Sequence, residues 1–314
     1  MTRMSRIVRL PRNARRGFAL LAVLWVIAGA SAIGLVLMGT SRLSLQTMGN
    51  RVALRRAAWR AEGCLESAMS RIGTELQGDR EGADAAWVAF DSLLVAEDVA
   101  IAGCTLHITP AGVALSLHDA QVEQLRALFC LAGAPPAVAD SLADALADWR
   151  DTDNVARPAG AERAWYANAG RVAPRNGPLA NVAELAYVRG FDRWPGVAVL
   201  LSAERGRVLV GRAPDVVIAA AAGVPDSAVR ALRLRVGRPL RTADLAAVAQ
   251  RQRPDKSACS LAGIASAGSL TDVPDAWVLT AQVGSGSPPV RETVEYLVAR
   301  SGPRAALVRR RSWP

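Results

Sequence analysis

The chain has 314 residues, 51% hydrophobic and 21% charged, a composition that excludes a wholly disordered polypeptide. Its net charge of +10 is lopsided: the first 17 residues hold six arginines (Arg3, Arg6, Arg9, Arg12, Arg15, Arg16) and no acid, leaving 32 basic against 28 acidic residues elsewhere. Two histidines, His107 and His118, rule out a multi-histidine metal centre, and four scattered cysteines (Cys64, Cys104, Cys130, Cys259) without a CxxC argue against a zinc ribbon.

Residues Phe18 to Gly39 carry no charge. At about 1.5 Å rise per residue this stretch crosses a hydrocarbon core of about 30 Å, and it is longer than the usual core of a removable signal peptide. The preceding arginines place the N-terminus in the cytoplasm by the positive-inside rule, so the bulk of the chain lies outside the inner membrane, in the periplasm. Beyond the span, Leu45, Met48, Val52, Trp59, Leu65, Met69, Ile72 and Leu76 recur at spacings near 3, 4 and 7. The expectation is one continuous helix to about residue 77, lipid-embedded below and striped above.

Short β-like segments follow. Cys104–Ile108 and Val113–Leu117 alternate around Thr109-Pro110-Ala111-Gly112 and predict a hairpin. From Asp119 the period becomes helical, with helices expected at 120–132, 138–150, 161–168, 181–189, 214–222, 226–233 and 242–251. Asn181 and Glu184 have capping-box spacing. Strands return at Trp277–Val283, Arg291–Ala299 and Ala305–Arg310, with GSGSPP as the first turn. The fold class is α+β: a long N-terminal helix on a small antiparallel sheet, with a large all-α insertion. The divisions are 1–17 leader, 18–39 membrane span, 40–118 first part of the core, 119–251 helical insertion and 252–314 final strands.

Asp148, Asp151, Asp153 and Glu162 gather around a loop rich in Asn, Gly and Pro. Carboxylates spaced this way suit calcium, which takes about 6–8 oxygen ligands. The competing reading is a solvated acidic loop paired with Arg150, Arg157 and Arg163. Two Gly junctions, Val188-Arg189-Gly190-Phe191 and Ala222-Gly223-Val224-Pro225, resemble the turns of DNA-binding helical hairpins. They make an extracytoplasmic DNA receptor the rival reading. Plain helix stops are favoured, because Asp192 would repel phosphate. The cysteines allow three complete pairings, and the sequence does not choose among them.

The junction Arg15-Arg16-Gly17-Phe18-Ala19-Leu20-Leu21 resembles the leader of type IV pilins and pseudopilins. That resemblance implies cleavage between Gly17 and Phe18 by a prepilin peptidase, followed by methylation of the new terminus. Most such proteins carry Glu five residues into the mature chain, where this sequence has Ala22. The family that also lacks it is the minor pseudopilin K family of type II secretion systems. A second match covers Asp148-Trp149-Arg150-Asp151-Thr152-Asp153, Gly160-Ala161-Glu162, Tyr166, Asn176-Gly177-Pro178-Leu179 and Glu184-Leu185 through Gly190-Phe191. The resemblance implies a pilin-like core with an inserted α-domain that binds Ca2+ through Asp148, Asp151, Asp153 and Glu162. Arg163 departs from the family, which often has an acid there. It also implies a non-enzymatic role at the pseudopilus tip, capping and initiating assembly for export of folded exoproteins. The partners implied are minor pseudopilins I and J, the major pseudopilin, other secretion-system components and the inner membrane, with no nucleic acid.

Overall fold

The computed structural model describes residues 12–76, 87, 104–249, 268–285, 290–302 and 304–313. Helix α1, Arg12–Leu76, is unbroken over 65 residues, about 98 Å at 1.5 Å per residue. Its most apolar 18-residue window has a mean hydropathy of 2.5 and buries nothing within the chain. Between residues 20 and 52 every residue is exposed except half-buried Gly34. Contact begins near Ala57, and the inward face is Ala57, Ala61, Cys64, Leu65, Ala68 and Ile72.

This corrects the stripe read from the sequence. Leu65 and Ile72 do face the core, but Leu45, Met48, Val52 and Trp59 point outward, with Trp59 76% exposed. The two halves of the pattern serve different faces. Alanine dominates the inner one because small side chains let a helix axis come close to a sheet.

The sheet has strand order β1-β6-β7-β8, with β1 Thr105–Pro110, β6 Ala276–Ser285, β7 Val290–Ser301 and β8 Arg304–Trp313, all antiparallel. Alternation sends Trp277, Leu279, Ala281 and Val283 of β6 to the α1 side, with Val294, Tyr296 and Val298 of β7. Polar ties reinforce the contact. The Tyr296 hydroxyl donates to Glu66 at 3.0 Å, and Arg310 pairs with Glu62. Burial, and then the Glu66 acceptor, push the Tyr296 phenol up to about 12. A disulfide joins Cys64 of α1 to Cys104 beside β1, and Cys130 is also disulfide-bonded. Trp87 stacks on Trp277 at 4.7 Å and donates to the Gly302 carbonyl at 2.7 Å.

The expected hairpin is absent. β1 pairs with β6 instead, and Ala111 extends that pairing by donating to Ala276 at 2.8 Å. Gly112, at φ +88°, passes so close to the Arg207 carbonyl that a Cβ would strike it. That close passage, possible only for Gly, turns the chain out of the sheet. The next strand, β2 Leu115–Ser116, then pairs in parallel with β3 Leu201–Ser202. A second parallel pair joins β4 Val208–Leu209 to β5 Leu270–Thr271.

Between β2 and β5 lies the helical body: α2 Val122–Leu131, α3 Pro136–Arg150, α4 Arg163–Asn168, α5 Asp215–Ala222, α6 Asp226–Val236 and α7 Thr242–Ala249. Residues 182–187, 191–193 and 195–200 are 3-10 turns, so the helix expected at 181–189 is a tighter, shorter element. Asn181 caps it by accepting from Ala183 at 2.9 Å, and Glu184 accepts from Ala180 at 2.8 Å rather than from Asn181. The box is thus displaced by one residue. Helix α5 is apolar nearly all round and is buried accordingly, from Val217 through Ala222. Gly223, at φ +68°, stops it, with fully buried Val224 behind. The ends of GSGSPP, of the helix expected at 242–251, and Cys259 lie outside the described residues.

Body and sheet meet at Asp275, just before β6. Its carboxylate accepts from the Arg207 backbone at 3.0 Å and from the Arg207 guanidinium at 3.0 and 2.6 Å. Burial alone would raise the Asp275 carboxyl, but the Arg207 hydrogen bonds outweigh it and hold the group below its ordinary range. A depressed folded pKa gives stability that is present above the unfolded value and lost as pH falls through the folded one. Asp275→Asn is expected to cost about 1–2 kcal/mol near neutral pH, toward the low end for charged hydrogen bonds because the pair is partly exposed. In urea unfolding, the gap between wild type and variant should close as pH drops below about 3.9, the ordinary aspartate value.

Candidate functional site

The site is built on one face of α3. Ser141, Asp144, Asp148 and Asp151 recur three and four residues apart and so project on the same side. Each grips the loop that returns at 157–162. Ser141 donates to the Ala159 carbonyl at 3.1 Å, and Asp144 accepts from the Ala159 N–H at 3.1 Å. Asp148, fully buried, accepts from the Arg157 N–H at 3.1 Å and from its guanidinium at 2.9 Å. The same guanidinium reaches Asp151 at 2.6 Å. Gly160 lies against the Asp148 carboxylate so closely that any Cβ would collide with it.

That grip presents a separate set of oxygens. One carboxylate oxygen from each of Asp151, Asp153 and Glu162 falls within 4.8 Å of the others. Glu162 is buried and caps α4, one oxygen accepting from the Arg163 N–H at 3.3 Å. Asp153 accepts from Val155 at 2.8 Å. Among the described residues three buried acceptors have no hydrogen-bond partner: Asp151 Oδ1, Glu162 Oε1 and Asn176 Oδ1. Asn176 stands in the left-handed region at φ +51° and donates to the Asp153 carbonyl at 2.6 Å. Buried oxygens left without donors are what a hard cation satisfies.

Of the four acids expected to ligate, Asp151, Asp153 and Glu162 come together, while the Asp148 carboxylate is bound by Arg157. Burial, and then the like charges of Asp148, Asp151 and Asp153, push the Glu162 carboxyl up, against the pull of the Arg163 N–H. Hydrogen bonds to Asp151 and Asp148 raise Arg157 further. Of the three arginines expected to neutralise the acids, Arg157 does so. Arg150 instead donates to the carbonyls of Leu117 and Ala120, and burial, then Arg157, lowers its pKa. Arg163 is exposed.

Sequence reasoning missed Ser141, Asp144 and Asn176. Polar residues at helical spacing along an otherwise buried helix were the available signal for the first two. For Asn176 it was the Asn-Gly-Pro turn, since Asn tolerates positive φ. The remaining motif residues are packing: Ala161, Leu179, Leu185, Val188 and Phe191 are buried, and Tyr166 sits edge-on to Trp149 and Trp165 at 5.3 and 5.0 Å.

At each Gly junction the N–H of the residue after the Gly is bonded within the chain. Val224 N–H bonds the Ala219 carbonyl at 3.1 Å, and Phe191 N–H bonds Val188 at 3.3 Å. Gly17 and Phe18 lie in the first turns of α1.

A long apolar helix laid across a small antiparallel sheet, with a helical body between its first and second paired strands, is a pilin-like fold. Residues 109–195, which hold all the acids above, match the family model for type II secretion system protein K. A chain of the solved GspK-GspI-GspJ complex from the enterotoxigenic Escherichia coli type 2 secretion system shares the fold. Its TM-score is 0.59 at 17% identity, covering 86% of this chain and 99% of that one. A comparison with curated protein sequences finds no match.

Proposed function

We propose that the chain is a minor pseudopilin that caps and initiates the periplasmic pseudopilus, anchored in the inner membrane with its N-terminus cytoplasmic. The observation that carries this reading is α1 itself. Residues 20–39 are uncharged and, save half-buried Gly34, exposed, as a lipid-embedded segment must be, and the middle of the helix carries Leu45, Met48, Val52 and Trp59 facing away from the chain's own core. Leu45, Val52 and Trp59 are seven residues apart, the repeat with which helices pack side by side. Ala22 offers no carboxylate to a subunit ahead, and the helical body adds bulk above the sheet. The role is structural, with packing and steric capping as its mechanism and export of folded exoproteins as its purpose. The solved relative assembles with GspI and GspJ, and the corresponding minor pseudopilins are the partners proposed here. The major pseudopilin joins below them. Trp59→Glu with Met48→Glu should weaken binding to those two proteins at least tenfold in pull-down titrations while leaving the melting temperature unchanged. DNA should not be retained at ~150 mM salt, where a DNA receptor would bind with a steep salt dependence. Tight DNA binding without pseudopilin binding would replace this reading.

The anchor is proposed to mature by prepilin peptidase cleavage between Gly17 and Phe18 and methylation of Phe18. Gly17→Leu should leave a precursor longer by 17 residues, the length of the leader. Normal maturation of that variant on a gel would remove this part of the proposal.

Asp151, Asp153 and Glu162 are proposed to hold Ca2+, with Asp148 and Arg157 fixing the loop that carries them. The three orphaned acceptors support the assignment. A ligand that binds only the folded state adds about 2.7 kcal/mol at a hundredfold excess over Kd, worth roughly 5–10 °C for a body of this size. Millimolar calcium should therefore raise the melting temperature, and Asp151→Ala with Asp153→Ala should abolish the rise. An unchanged melting temperature in calcium would refute the site.

A further inference from the structure

A cavity of about 520 Å³ opens on the other side of the 157–162 loop, between α3, α4 and the 3-10 turn at 191–193. Leu142, Trp165 and Trp194 supply apolar wall, and Arg171, Arg189, Asp192 and Arg193 the charge. Most of these side chains are already engaged. Arg171 pairs with Asp192 at 3.1 Å. Arg189 lies over the Trp165 ring at 4.9 Å and donates to the Gly160 carbonyl at 2.7 Å. Two keep a free face. Among the described residues the Arg193 guanidinium makes no ion pair or hydrogen bond, and Trp194, next to it in sequence, packs against the core with part of its surface still open and stacks on no other ring.

A free guanidinium beside an indole whose open face lines a cavity of ligand size is a recognition element, because both groups gain from an occupant. The lining carries three cations and one anion, so it selects negative charge. The anion favoured is a carboxylate. Asp192 is part of the lining and penalises the higher charge of a phosphate, whereas a single carboxylate matches the one unpaired Arg193 fork. The apolar wall beside that fork calls for an apolar or aromatic group adjacent to the acid.

We propose that this cavity binds an acidic peptide segment of a partner protein, with a carboxylate on Arg193 and a neighbouring aromatic side chain against Trp194 and Leu142. The site requires neither the capping role nor calcium. Gly190, at φ +88° with Leu142 3.0 Å from where its Cβ would stand, keeps the turn close over the cavity floor.

The test is calorimetric titration of the full chain in detergent with acetyl-Asp-Phe-Glu-amide and with acetyl-Asn-Phe-Gln-amide. The acidic peptide should bind at least tenfold more tightly than the neutral one. Arg193→Glu should weaken it at least tenfold without moving the melting temperature, as expected of an exposed side chain, and Trp194→Ala should weaken it at least tenfold while also lowering the melting temperature, because Trp194 packs against the core. No binding of the acidic peptide, equal binding of the two peptides, or unchanged affinity in both variants would overturn the proposal. So would inorganic phosphate or a single-stranded oligonucleotide displacing the peptide at lower concentration, which would make the cavity a phosphate site.

Discussion

The helical body depends on one buried charge. Asp148 has no exposed surface, and an ionised carboxylate there costs several kcal/mol unless it is paired and hydrogen-bonded. Arg157 meets that demand with both its backbone N–H and its guanidinium. To do so the chain must turn back after α3 and bring 157–160 against the helix. The requirement propagates outward. Gly160 must be a glycine to lie against the carboxylate, Ala159 is then held by Ser141 and Asp144, and Glu162 is delivered to the start of α4. Asp151, Asp153 and Glu162 converge because Asp148 has closed the loop. A motif that reads as four equivalent acids is one structural acid and three presented ones.

The same logic separates the two halves of α1. A helix inserted in lipid needs no internal partner, since its backbone is satisfied within itself. The part from about Ala57 onward covers one face of the sheet with one side and leaves the other side uncovered. Alanine and cysteine on the covered face bring it close, and the bulkier Leu45, Met48, Val52 and Trp59 stay outside. The covered face mixes small Ala57, Ala61, Cys64 and Ala68 with Leu65 and Ile72, so hydrophobicity alone does not tell it from the uncovered one.

That distinction explains what was legible in the sequence. The long helix, the helical block and the three late strands announce themselves by period, and the structure places each within a few residues of its expected limits. The orientation of α1 was not legible, because a hydropathy pattern counts Trp59 as core and weighs Ala57 and Ala61 little. The hairpin failed for a different reason. Alternation in Cys104–Ile108 and Val113–Leu117 is genuine, but pairing is non-local, and β1 finds β6 across more than 160 residues of intervening chain. Only Gly112 marked the departure, through a carbonyl contact that no local pattern encodes. At the acidic loop, residue types and spacing identified the cluster, while the division of labour between Asp148 and the other three needed the position of Arg157.

The non-local pairing also has a mechanical consequence. The helical body is inserted between β1 and β6, which are neighbours in the sheet, so both of its covalent connections leave from adjacent strands. Such an insertion could pivot as a unit. Two further ties oppose that motion. Arg207 of the body binds Asp275 at the foot of β6, and Arg309 of β8 binds Glu204 of the body while also reaching Glu295 of β7 at 3.3 Å. Because β6 and β7 lie against α1, and Cys64–Cys104 joins α1 to the start of β1, a push along the helix reaches the body through the sheet. Continuity of α1, sheet and body therefore rests on several modest contacts together rather than on any single strong one.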